Sequence, residues 1–183
     1  MPSKLTLFII IGPSGVGKST AASIIAKKLK IKSFSTDLIR RRRKYHLAVD
    51  YYRKTGKFFP EKTRRKFYQE LMQSGKKELS AGKSVILTGT FSRKWMRKRA
   101  EVLAGQTKAK LVPIEVKLTK ISKAAIEERL KRRKMKDQKA AEAKLYWAYQ
   151  RHFRPFRGRH FIINNSGGIK ELNKQINKIL KKI

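Results

Sequence analysis

A parallel sheet covered by helices on both faces is the fold class predicted by three features of this sequence. Apolar runs of strand length alternate with helical patterns along the chain. The run Leu5-Thr6-Leu7-Phe8-Ile9-Ile10-Ile11 is almost unbroken, as a strand buried on both faces requires. It leads directly into a glycine loop, and Ala21, Ala22, Ile24, Ile25 and Leu29 then recur at helical spacing from Lys18 to Leu29.

That loop reads Gly-Pro-Ser-Gly-Val-Gly-Lys-Ser from Gly12 to Ser19 and fits the phosphate-binding pattern G-x-x-x-x-G-K-[ST]. Its glycines let successive backbone N–H groups face one anion, and the helix that starts there adds its positive end. Lys18 supplies a point charge for the β- and γ-phosphates, and the Ser19 hydroxyl is placed to ligate Mg²⁺. The expected nucleotide-binding residues are therefore Gly12, Pro13, Ser14, Gly15, Val16, Gly17, Lys18, Ser19 and Thr20.

At 183 residues and 40% hydrophobic composition, the chain is long enough for one domain, residues 1–183, with a full core. It has no cysteine, which fits the cytoplasm and leaves nothing dependent on an oxidising compartment. The apolar run at 5–11 is too short to cross a bilayer, which takes about 20 residues, so no membrane or targeting segment is expected. Forty-eight Lys and Arg against twelve Asp and Glu give a formal charge of +36. Nucleotide binding alone needs only a few cations. The excess, with clusters at Arg40–Lys44, Arg93–Arg99, Arg129–Lys136 and Arg151–Arg159, points to a polyanionic partner, nucleic acid, held through counterion release. A lysine-rich bias spread over the whole surface is the alternative.

The remaining elements follow in order. Lys32 to Thr36 reads as a second strand, with Thr36 capping a helix that opens at Asp37. Tyr45, Tyr51, Tyr52, Phe58 and Phe59 lie among basic residues without clear periodicity, as helix and loop above the sheet, where they are placed either to stack an end base or to join the core. A long helix runs from about Glu61 to Ala81 and is closed by Gly82. A third strand covers Lys83–Leu87, and a basic helix runs from Ser92 to Ala104. Lys110–Leu118 is a fourth strand whose alternation predicts one exposed face, weakened by Pro113. Helix returns over Ser122–Arg133, then a loop near 134–138, then helix to about Phe153. Phe161–Ile163 is the fifth strand, and Ile169, Leu172, Ile176, Ile179 and Ile183 form the sheet-facing stripe of a last helix.

Among phosphate-loop proteins, a GTPase needs a guanine-reading Asn-Lys-x-Asp, and Asn173-Lys174-Gln175-Ile176 lacks the acid. A motor ATPase ends its third strand in acids, whereas Val85-Ile86-Leu87 ends in Thr88-Gly89. A small kinase needs the loop, an acid to orient the acceptor and an arginine-rich lid. Asp37, after the second strand, faces the crevice where open α/β sheets bind ligands and can take the proton of an attacking hydroxyl. Arg40 can hold an anionic acceptor. Arg129 and Arg133, one helical turn apart within a lid of about 122–153, can stabilise the charge on a transferring phosphoryl group.

With its Asp-x-x-Arg after the second strand, basic helix after the third, Arg-x-x-x-Arg lid and fifth strand ending near Asn, the chain resembles the phosphate-loop kinase family. It is most similar to the kinase domain of 5′-polynucleotide kinases and the small kinases that share that layout. The resemblance implies a P-loop NTPase three-layer α/β/α sandwich with a five-stranded parallel sheet. It also implies ATP and Mg²⁺ as cofactors, Asp37 as general base, Arg40 on the acceptor phosphate, and Arg129 and Arg133 clamping ATP. The Asn164–Ser166 turn, with Asn165, would lie beside adenine. These kinases often end the third strand with an aspartate near the metal or acceptor. Here Thr88 stands in its place, able to hydrogen-bond a metal-bound water or the acceptor but bringing no charge. The expected activity is transfer of the γ-phosphate of ATP to a hydroxyl, with a nucleic-acid 5′-hydroxyl preferred. A small-metabolite kinase and a non-catalytic ATP-binding module that holds nucleic acid are the alternatives.

Overall fold

In the computed structural model, residues 4–43, 48–119, 122–136 and 143–183 are described, with side chains left aside at 48–50, 53, 133–136 and 143–145. β1 (Thr6–Ile11) is buried at every position. It lies at the centre of a five-stranded sheet of order β2-β3-β1-β4-β5, with β2 spanning Lys32–Ser35, β3 Val85–Thr88, β4 Lys110–Lys117 and β5 Phe161–Asn164. Every pairing is parallel, with Phe8 opposite Ile86 on one side and Val112 on the other. The predicted fold class is the one observed.

Side chains alternate across β1, so it serves two cores. Phe8 and Ile10 face α1 (Lys18–Leu29), α6 (Lys123–Lys136), α7 (Ala143–His152) and α8 (Ile169–Leu180) through Ile25, Leu130, Tyr146 and Ile176. Leu7, Ile9 and Ile11 face α2 (Thr36–Arg42), α4 (Glu61–Ser80) and α5 (Lys94–Gln106) through Ile39, Leu71 and Ala100. Leu172, Ile176 and Ile179 of α8 are buried as the stripe predicts, while Ile169 is exposed. No helix among the described residues is long and apolar enough to cross a membrane.

Several boundaries differ from the sequence reading. Ser35, not Thr36, caps α2: its side chain accepts from the Leu38 N–H at 3.1 Å, and Thr36 is already helical. β4 is buried from Val112 to Val116, so the expected exposed face is absent. β4 lies between β1 and β5, and Glu115 is buried because its carboxylate accepts from the Phe156 N–H. Pro113 is tolerated because β5 begins opposite Ile114, leaving β1 alone beside the proline. α5 starts at Lys94 rather than Ser92, since Phe91 adopts a left-handed φ of 46° to bury its ring. α6 runs on to Lys136 where a loop was expected, and most of that expected loop, from residue 137, lies outside the described residues.

The aromatic segment forms α3 (Ala48–Thr55) and the loop after it. Its rings pack on one another and on the core: Tyr51 stacks on Phe59 at 4.6 Å, Phe59 meets Phe67, and Phe58 meets Tyr149 of α7 at 4.7 Å. They act as a roof joining α4 to α7, and Phe59 is buried. Of the two expected roles the core one is observed. Tyr45 lies outside the described residues.

Tyr68 of α4 ties this half together. Its hydroxyl accepts from the Phe91 N–H at 2.8 Å and lies 3.4 Å from the Thr90 hydroxyl. Burial pushes its phenol above the ordinary value of 10.0, partly offset by those two hydrogen bonds. A phenol whose folded pKa is raised contributes stability that is complete below pH 10.0 and lost as pH rises beyond it. Tyr68→Phe is expected to lower unfolding stability by about 1–3 kcal/mol, because the Phe91 N–H loses its acceptor. Denaturant melts from pH 8 to 11 check this, and the alkaline decline should be shallower in the variant.

Candidate nucleotide and acceptor site

The phosphate loop leaves β1 where the sheet reverses direction, since successive connections carry the chain first to β2 and β3 and later to β4 and β5. That reversal opens a crevice at the carboxyl ends of the strands. Gly17 precedes α1 with φ 98°, a left-handed angle that a side chain resists. A Cβ there would also lie 2.0 Å from the Asn165 amide nitrogen. That amide donates to the Val16 carbonyl at 2.8 Å, and the Asn165 carbonyl accepts from Arg129 at 2.6 Å. Lys18 donates to the Pro13 carbonyl at 2.7 Å, so its ammonium stays curled over the loop. Pro13 and Val16 are buried, Ser14 and Gly15 half-buried, and Ser19 and Thr20 exposed at the start of α1.

The lid helices rest directly on the loop. A Cβ at Gly15 would meet the Tyr146 ring at 2.9 Å and Leu130 at 3.0 Å. Arg129 lies beside Gly17, on the phosphate side of α6. Arg133 follows it in α6, and its side chain lies outside the described residues. Asn165 was expected beside adenine; its side chain instead braces the loop from behind. The neighbouring turn links the loops after β4 and β5, with Ser166 accepting from the Thr119 N–H at 2.8 Å. Leu130, Tyr146 and the bracing role of Asn165 were not read from the sequence.

On the other side of the crevice lies Asp37, largely exposed and ion-paired with Arg40. The Arg40 side chain is only 14% exposed, lies 5.7 Å over the Phe67 ring, and has no hydrogen-bond partner for its Nε. Burial pulls its pKa down from the ordinary value, with Tyr149 and Tyr68 pulling it part of the way back. Between loop and acid sits Thr88 at the end of β3, paired with Ile10 and 3% exposed, its hydroxyl likewise without a partner. A buried polar group left unpaired costs about 1–3 kcal/mol, so such groups clustered at one crevice mark a place built for a ligand. β1 and β2 are two strand spacings apart, which sets about 10 Å between the loop and Asp37, with Thr88 midway.

These donors fit the cofactors expected. No cluster of His, Cys, Asp and Glu among the described residues could hold a metal by itself. Mg²⁺ held mainly by nucleotide phosphates and water needs only the exposed Ser19 hydroxyl and the orphaned Thr88 hydroxyl beside it.

A family model described as an AAA domain matches residues 7–155, from β1 through both lid helices. No curated protein matches the sequence. Among solved structures, a gluconokinase from Sinorhizobium meliloti is similar at a TM-score of 0.68 and 13% identity, covering 97% of this chain and 94% of that one. The APS kinase of Mycobacterium tuberculosis, in complex with AMPPNP and APS, has a TM-score of 0.66 at 13% identity and covers 98% of each chain. Chaetomium thermophilum Kti12, in complex with ADP-AlF3, has a TM-score of 0.66 at 12% identity, covering 96% of this chain and 97% of that one. At these identities the likeness is one of fold.

The loop brace is testable. Asn165→Ala leaves the Val16 carbonyl without its donor and is expected to cost about 1–3 kcal/mol in stability and to weaken nucleotide binding. Gly17→Ala, which has neither the room nor the backbone angle, is expected to abolish that binding. Calorimetric titration with ATP and Mg²⁺ reads both.

Proposed function

Because the chain belongs to the AAA domain family, we propose that it is an ATP-dependent phosphotransferase acting on an alcohol group. The observation that carries this reading is the unpartnered Thr88 hydroxyl lying between a phosphate loop and an exposed carboxylate. In that gap a bound hydroxyl has the γ-phosphate on one side and Asp37 on the other.

The residues then divide the work. Backbone N–H groups from Gly12 to Thr20 cradle the phosphates, and Lys18 exchanges the Pro13 carbonyl for the β- and γ-phosphate oxygens. The Asn164–Ser166 turn borders the adenine side. Mg²⁺ when bound neutralises phosphate charge, held by Ser19 and, through water, Thr88. Asp37 accepts the proton of the acceptor hydroxyl as the new bond to phosphorus forms, while Arg40 holds an anionic group of the acceptor. Arg129, with Arg133, stabilises the charge spread over the transferring group, and α6 and α7 exclude water from it.

A nucleic-acid 5′-hydroxyl is the preferred acceptor. Three basic clusters belong to α2, α5 and α6, and Arg97 of α5 donates to the Arg154 and Pro155 carbonyls of the fourth. This supports one cationic rim around the crevice rather than an even coat. A small anionic metabolite is the second reading, favoured by how little of Arg40 reaches solvent.

Transfer of label from γ-labelled ATP to 5′-hydroxyl oligonucleotides or to a metabolite panel tests both readings. Lys18→Ala is expected to remove transfer. Asp37→Asn should reduce it by about 10²–10⁴-fold with ATP affinity nearly unchanged, and wild-type activity in this variant would remove Asp37 from the chemistry. Oligonucleotide binding should fall roughly 10³-fold or more between about 50 and 200 mM salt if six or more phosphates are engaged. A flat salt dependence would move the acceptor to the metabolite class.

A further inference from the structure

Arg40 is not the only buried arginine on the acceptor side with an idle donor. Arg64, in the first turn of α4, is half-buried, and its Nε also lacks a hydrogen-bond partner. Its backbone N–H is fixed to the Pro60 carbonyl at 3.0 Å, so the side chain starts from the base of the aromatic roof. Tyr149 of α7, whose ring meets Phe58 of that roof, is within electrostatic reach of both guanidiniums. Three elements far apart in sequence thus bring two arginines and a phenol to one spot next to Asp37. Glu61, the acid nearest Arg64 in sequence, is hydrogen-bonded to Arg65 instead.

We propose that Arg64 and Tyr149 complete, with Arg40, an oxyanion site that takes a phosphate group carried by the acceptor. This deepens the kinase reading above and rests on it for the word acceptor, though not for the site. The donor inventory selects the group. Each guanidinium brings five N–H donors in a rigid fork and the phenol brings one more. Arg40 already gives one end of its fork to Asp37, which leaves its Nε and that of Arg64 without acceptors. A phosphate monoester presents three terminal oxygens in a tetrahedral spread and can meet two guanidiniums and a phenol together. A carboxylate presents two oxygens in one plane and leaves one donor facing apolar rings. Phosphate at this position also competes with Asp37 for Arg40, so that binding the acceptor frees the carboxylate that takes its proton.

The test is an equilibrium titration with inorganic phosphate, using the full chain with its loop first saturated with AMPPNP and Mg²⁺. One further phosphate is expected to bind, weakened at least about tenfold in Arg64→Ala and partly restored in Arg64→Lys. Since the Arg64 Nε has no partner in the fold, these variants should keep the wild-type melting curve. Tyr149→Phe removes the phenol donor while retaining the ring contact with Phe58, and should weaken phosphate binding less than Arg64→Ala. Displacement of phosphate by a 3′-phosphorylated dinucleotide would assign the group to a nucleic-acid end, and displacement by ribose 5-phosphate alone to a metabolite; either result upholds the site. Absence of a second phosphate, or equal affinity in Arg64→Ala, would overturn it. The same titration on Lys18→Ala reads the site should nucleotide binding fail. Phosphate binding without any transfer would leave the oxyanion site standing and remove the kinase reading.

Discussion

The contact on which the site depends is the approach of the Asn165 amide to the backbone of Gly17. The loop is a strained piece of main chain, and its shape persists because its carbonyls and turns are held from outside. Asn165, at the end of β5, holds the Val16 carbonyl; its own carbonyl is held by Arg129 of α6. One residue therefore joins the phosphate loop, the outer strand of the sheet and the lid. A shift of α6 away from the loop breaks the Arg129 bond first. The arginine that would meet the transferring phosphoryl group thus reports, through Asn165, on the shape of the cradle beneath.

The acceptor side is built on a different principle. Around the loop, polar groups are matched within the protein, whereas opposite it Thr88, Arg40 and Arg64 keep buried donors without acceptors. The roof of Tyr51, Phe58 and Phe59 makes this costly, because it removes the water that would otherwise satisfy them. The same roof fixes where they point. A pocket of idle donors walled by aromatic rings discriminates by chemistry: a neutral acceptor entering it leaves two guanidiniums unpaired, while an oxyanion satisfies both.

Much of this was legible from the sequence because local pattern and global fold agree. The six residues of β1 are apolar and all buried, and the octet from Gly12 to Ser19 carries its own geometry. Elements were missed where tertiary contacts overrode that pattern. Glu115 reads as a solvent-facing residue until the Phe156 N–H and the His160 ring 3.6 Å away give a buried carboxylate its partners. Phe91 delays α5 by turning left-handed to reach the core. Asn165 in a turn looks like any polar loop residue, since its partner lies 149 positions away. Tyr146 and Tyr149 do carry a signal, three apart on one helix face. Arg64 carries none, being one of forty-eight cations.

Those cations act on two length scales. The described acids are mostly paired within a helix, as in Glu61 with Arg65 and Glu128 with Arg132, and such exposed pairs contribute little to stability. A formal charge of +36 therefore opposes the compact state by self-repulsion, and the two cores outweigh it. Charge that the fold does not need remains available to a polyanion, over a range set by salt. Buried Arg40 and Arg64 act at contact distance, where the surrounding protein shields them from mobile ions. Salt thus separates the two: it loosens the grip of the rim on a long polyanion while leaving the reading of one phosphate at the reacting end nearly untouched. A chain built this way recognises the length of its partner at the surface and the chemistry of that partner's end within the crevice.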